Sequence, residues 1–142
     1  MTQEEKQLLI KDLCARLPHG VKFASFCEDM IHHSESVILR QIYWNADYNA
    51  NGIEGDSDIS TIIEFVRPYL RPMSSMTDEE KHELYNIRPY FINSDNIVSG
   101  TQCNTFIQAS ECQDWLNAHH FDYRGLIPMG LALEAPEGMY NN

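Results

Sequence analysis

Three four-residue strings fix where helices can begin. Thr2 with Glu5, Thr77 with Glu80 and Ser110 with Gln113 each match the capping box, in which two residues three apart satisfy each other's free backbone N–H groups. After the first, Leu9, Ile10, Leu13, Cys14 and Leu17 recur at helical spacing, and Pro18 and Gly20 end the run. The second opens a short acidic helix reaching about Asn86, closed by Pro89. The third opens a helix with Cys112, Trp115, Leu116 and His119 on one face, with Asp122 placed to cap a further turn and Gly130 to stop it.

The chain between the first two boxes has a different character. Val21 to Cys27 and Ser36 to Trp44 read as strands, the second rich in β-branched and aromatic residues. Glu28 to Glu35 reads as a loop or wide hairpin, and Asp47 to Asp58 as a long turn. Ile59 to Val66 fits a helix or a strand equally. Pro68 and Pro72 hold Arg67 to Met73 extended, because each proline keeps its predecessor out of the α region. Tyr90 to Val98 and Leu131 to Leu133 read as further short strands, and Glu137 to Asn142 as a frayed tail. Helices and strands do not alternate regularly. The predicted fold is therefore α+β, a small antiparallel sheet with N- and C-terminal helices packed on it, in a single domain over residues 1–142.

Charge narrows the classes of function. The 142 residues carry 21 Asp plus Glu against 10 Lys plus Arg, a net of −11, which argues against direct binding of nucleic acid or anionic lipid. No run approaches the roughly 20 apolar residues that span a bilayer. The polar, acidic opening Met1 to Lys6 lacks the order of a signal peptide, so the expected location is cytoplasmic. Cys14, Cys27, Cys103 and Cys112 form no C-x-x-C pair, and reduced, partly buried thiols are expected.

Asp47-Tyr48-Asn49-Ala50-Asn51-Gly52 has the first half of a calcium loop, with oxygen ligands at positions 1, 3 and 5 and glycine at 6. Position 12 is Asp58 in place of the bidentate Glu, and position 8 is Glu54 in place of an apolar anchor. A hairpin turn at Asn51-Gly52 is the better expectation. The pairs His32-His33 and His119-His120 are adjacent, so each offers a metal one ligand easily and two only in a distorted turn. No metal or cofactor is predicted. His119 falls on the apolar helix face and is expected to be a buried, hydrogen-bonded imidazole.

Two groups of residues are candidates for a site. His119, His120, Asp122, Tyr123 and Arg124 place bases, a carboxylate and a cation in six positions, either for chemistry in a shared cleft or as an ordinary helix end. Arg67, Tyr69, Arg71 and Met73 form an extended strip with the composition of a docking anchor, or else a connection packed on the core. The face Asp78-Glu79-Glu80 with Glu83 is expected to be solvated. No nucleophile elbow, phosphate-binding glycine loop or metalloprotease helix is present.

Pro68-Tyr69-Leu70-Arg71-Pro72-Met73-Ser74-Ser75-Met76-Thr77, and the stretch from Asp114 through His119-His120-Phe121-Asp122-Tyr123-Arg124-Gly125-Leu126-Ile127 to Pro136, resemble segments of a group of short proteins. These are encoded in gut Bacteroides-type genomes and their phages and prophages. The resemblance extends to the opening Met1 to Lys6 and the closing Glu137 to Tyr140, and it departs from the group's pattern at Pro128. No function comes with it and no residue roles transfer. It implies a small accessory protein, with a mobile element as its suggested setting. The expectation is a non-enzymatic protein that binds another macromolecule, a protein above all. The alternatives are a small-molecule or metal-dependent activity at His119, His120 and Asp122, or a phage assembly role.

Overall fold

The computed structural model describes residues 1–27, 36–87 and 106–140. In chain order the elements are α1 (Gln3–Arg16), β1 (Lys22–Ser25), β2 (Val37–Asn45), β3 (Ala50–Gly55), β4 (Ser60–Ile62), β5 (Val66–Leu70), α2 (Asp78–Ile87), α3 (Phe106–Ala118) and β6 (Leu133–Glu134). The strands form one sheet in the order β4-β3-β2-β1-β5-β6. The pairings β1–β2, β1–β5, β2–β3 and β3–β4 are antiparallel. The architecture is α+β, as its sequence predicts. Among the described residues, no helix is long and apolar enough to cross a membrane.

The chain divides into two compact units, the first made of residues 1–69 and 126–133 and the second of 70–125 and 134–142. In the first, Thr2 Oγ1 accepts from the Glu5 amide at 3.1 Å and Glu5 Oε1 from the Thr2 amide at 2.8 Å, so the predicted capping box is formed. The stripe of α1 buries Leu9 and Leu13, and the sheet buries Val21, Phe23, Leu39, Ile53 and Val66. Asp12 and Arg16 are also fully buried, paired at 2.8 Å between Oδ2 and Nε.

The β2–β3 hairpin corrects the expected long turn. Its connection is only four residues, with Asn49 at φ +49°, and Asn51-Gly52 lies inside β3. Gly52 is there because the Tyr43 ring covers it: a Cβ would stand 2.4 Å from that ring. Residues 59–66 resolve into β4, a 3-10 turn over Ile63–Phe65, and the start of β5.

In the second unit α2 begins at the predicted box, with Thr77 Oγ1 accepting from the Glu80 amide at 3.2 Å and Glu80 Oε1 from the Thr77 amide at 2.9 Å. The third box is a different matter. Helix α3 starts at Phe106, so Ser110 lies within it and caps nothing. Met76, Leu84, Cys112, Leu116 and Phe121 form this unit's core, with Met73 and Trp115 packed against it. Cys112 is buried, whereas Cys14 and Cys27 are exposed. The expectations at Glu28 to Glu35, which include His32-His33, and at Tyr90 to Val98 and Cys103 lie outside the described residues.

Candidate functional site

The site grows from how α3 ends. The His120 amide donates to Asn117 O at 3.1 Å and the Phe121 amide to Leu116 O at 3.0 Å, the paired 5→2 and 6→1 bonds of a Schellman motif. His120 takes the left-handed position at φ +64° that glycine usually fills. Phe121 and Leu116 supply the motif's apolar contact inside the core. The chain leaves extended, and the Arg71 amide donates to His120 O at 2.7 Å while Arg71 O accepts from the Asp122 amide at 2.8 Å.

That ladder fixes Arg71. Its guanidinium lies 4.2 Å above the Phe121 ring centroid and grips Glu80 with both Nη atoms at 2.7 Å. Such a fork-to-fork pair is among the stronger polar contacts a protein makes. Burial of the Glu80 carboxyl favours its neutral form, but the Arg71 hydrogen bonds and charge and the Thr77 bonds outweigh that and hold its pKa at about 2. Glu80 is therefore not part of a solvated acidic face. It is buried and pins the start of α2 to Arg71.

Beside this pair opens a cleft of about 900 Å³, walled entirely by the second unit. Its walls are Arg71, Pro72 and Ser75; Thr77, Glu79, Glu80 and Glu83 of α2; His119; and the segment Glu134 to Gly138 with Tyr140. Because Arg71 is engaged by Glu80, Glu79, Glu83, Glu134 and Glu137 line the cleft with no other Lys or Arg among the described lining residues to balance them. His119 sits on the rim. Its Nδ1–H donates to Trp115 O at 2.9 Å, its ring stacks on the Trp115 indole at 4.0 Å, and its Nε2 is 3.9 Å from Glu83 Oε2. The Tyr140 ring stacks on the buried His120 ring at 3.6 Å, so the end of the chain is tied down at Tyr140 where fraying was expected.

The two predicted groups separate. Of His119, His120, Asp122, Tyr123 and Arg124, only His119 lines the cleft. His120 is buried beneath Tyr140, Asp122 is buried, Tyr123 donates its hydroxyl to Asn117 Oδ1 at 2.8 Å, and Arg124 lies over the Tyr123 ring. His119, expected to be buried and hydrogen-bonded, is hydrogen-bonded but only half-buried, and the left-handed position of the motif turns His120 inward. Among the described residues no group of three or more His, Cys, Asp or Glu side chains could hold a metal ion.

The docking strip also divides. Arg67 donates to the carbonyls of Glu64, Val66 and Gly130 within the first unit, where burial lowers its pKa. Tyr69 is buried, which raises the pKa of its phenol. Met73 packs on the second unit's core, and Arg71 alone borders the cleft. The charged and aromatic cleft residues not singled out from the sequence as site candidates are Glu79, Glu80, Glu83, Glu134, Glu137 and Tyr140. The Glu79 and Glu83 pair, four apart on one helix, carried the readable signal. The chain matches no protein-family model, no curated protein and no solved structure.

Proposed function

We propose that this chain is a binding protein, not an enzyme, and that it takes up a basic segment of a partner protein in the acidic cleft of its second unit. One observation carries this: Glu79, Glu83, Glu134 and Glu137 converge on a cleft where the one arginine among the described lining residues is held by Glu80. Desolvating like charges together is unfavourable unless a cation joins them, and a Lys- or Arg-bearing peptide supplies several at once. The net charge of −11 adds long-range attraction for such a partner. A natural occupant is the basic surface of a nucleic-acid-binding protein, which would make this chain a charge mimic. The setting that agrees with the sequence resemblance is the bacterial cytoplasm, as an accessory of a phage or other mobile element.

The test is fluorescence anisotropy with a labelled hexalysine peptide, and hexaglutamate as the control. Hexalysine should bind, weaken as salt is raised from about 50 to 300 mM, and be lost in a variant with Glu79, Glu83, Glu134 and Glu137 all changed to Gln. Equal binding by that variant would remove the cleft from the function.

A further inference from the structure

We propose that residues 135–140 are a ligand of their own second unit, and that the seat they occupy, the Leu70 carbonyl and the face of the His120 ring, takes an extended segment of a partner protein bearing a tyrosine or phenylalanine. This stands whether or not the cleft takes up a basic segment. The occupant shows what the seat accepts. The Ala135 amide donates to Leu70 O at 2.8 Å, as a residue of an added strand does. Pro136 to Met139 then make a turn closed by the Met139 amide on Pro136 O at 3.1 Å. Gly138 stands third in that turn at φ +81°, where a type II turn favours glycine. The turn sets the Tyr140 ring on the His120 ring, 3.6 Å between centroids and 17° from parallel. Leu70, His120, Ala135 and Tyr140 all belong to the second unit.

Two observations mark the seat as a recognition site. His120 holds the left-handed position at φ +64°, where glycine ends a helix freely and a side chain is strained. The capping geometry gives no reason for an imidazole there; the ring stacked on it does. The segment is also held against its own charge. Glu134 and Glu137 ride on it into a cleft already lined by Glu79 and Glu83 of α2, and like charges brought together oppose closure. Between its two anchors, Pro136, Glu137 and Gly138 are exposed, so that stretch uncovers little apolar surface on letting go. Such segments open at the low end of a protein's local stability. Anchored at both ends and repelled between them, the segment is a strap that a partner's tyrosine-bearing segment can replace.

The test uses the full chain and a labelled peptide, Leu-Glu-Ala-Pro-Glu-Gly-Met-Tyr, copied from residues 133–140 and capped at both ends. By anisotropy, Tyr140→Ala should bind it about fivefold more tightly than the parent, because the competing strap has lost its ring. Tyr140→Phe keeps a ring and should bind as weakly as the parent. The peptide with alanine in place of its tyrosine should bind Y140A about fivefold more weakly. Peptide and cleft are both acidic, so binding should strengthen as salt is raised from about 50 to 300 mM, opposite to hexalysine, and the two readings fail separately. Trp115 emission in a Trp44→Phe background, where Trp115 is the single tryptophan, checks that each variant is folded. If Y140A does not fold, the isotope-labelled methyl of Met139 decides. Excess peptide should move it to the position of a disordered methionine in the parent chain, and His120→Gly should move it without peptide. No binding by folded Y140A, equal binding of the two peptides, equal binding by Y140A and the parent, or a Met139 methyl unmoved by either change overturns the proposal.

Discussion

Removing the charge of Glu80 while keeping its shape tests how the second unit is held together. In Glu80→Gln the side chain can still accept from the Thr77 amide, because Gln serves at this position of a capping box. It loses the fork-to-fork pairing, since one of its two groups is now an amide donor facing an Arg71 Nη. The magnitude follows from the carboxyl itself. Lowering its pKa from 4.5 to about 2 corresponds to about 3 kcal/mol at about 1.36 kcal/mol per pH unit, and water on the cleft side reduces this to roughly 2 kcal/mol. Because the folded pKa lies below the unfolded one, the contribution is complete above pH 4.5. It drains away as pH falls from about 4.5 toward 2, where the unfolded chain takes up the proton first. Urea unfolding followed by Trp115 emission in the W44F background reads the second unit, to which Trp115 belongs. At pH 7 the E80Q midpoint should fall by about 1 M, given an m-value of about 1–2 kcal/mol/M, and the gap should narrow progressively between pH 4.5 and 3. Coincident midpoints at pH 7, or a gap of constant size down to pH 3, would refute the Arg71–Glu80 pair as the clamp.

Other predictions concern the first unit. Gly55→Ala would place a Cβ 2.9 Å from Val37 Cγ2 and 3.0 Å from the Phe23 ring, both buried, so it should cost about 1–3 kcal/mol. Gly52→Ala should cost less, because the half-buried Tyr43 ring that it meets can swing away. Comparing their thermal midpoints checks the order. Asp12→Ala removes the carboxylate that Arg16 Nε meets at 2.8 Å inside the core and should cost about 2–3 kcal/mol, a fall of roughly 5–10 °C in Tm. Asp12→Leu with Arg16→Met should recover most of that loss, and a double variant no more stable than D12A would show that the pair is worth more than apolar packing.

Local physics was legible and pairing across sequence distance was not. The boxes at Thr2 and Thr77 formed because each needs only four consecutive residues. Ser110 matched the same pattern inside a helix already begun at Phe106, where its neighbours needed no cap. Arg67-Pro68 and Arg71-Pro72 read identically by sequence, yet one guanidinium serves nearby carbonyls and the other a carboxylate nine residues on. No local rule tells them apart, because the choice was made by the turn at Met73–Ser75 and by the strand-like ladder to Phe121. The burial expected of His119 failed for a similar reason. Helical periodicity assigns His119 to the apolar face, but the Schellman motif rotates the chain after Ala118 and gives the buried position to its neighbour.

The same distinction governs the charge. A surplus of 11 acids over bases can be counted without a structure, but where the charges lie cannot. Its placement is what the proposed binding role depends on. Glu79 and Glu83 come from one helix, while Glu134 and Glu137 come from a segment about 50 residues further along the chain, and both pairs face one cleft. The arginine that could neutralise them is instead engaged by Glu80, at the base of the same helix. If Glu80 releases Arg71, the cleft gains a cation of its own, which on the proposed reading competes with a foreign one. The E80Q protein should therefore bind hexalysine less well than its parent at a pH where both are folded, because Arg71 then stands uncompensated at the cleft. Undiminished binding would mean that the clamp stabilises the second unit and has no part in keeping its cleft acidic.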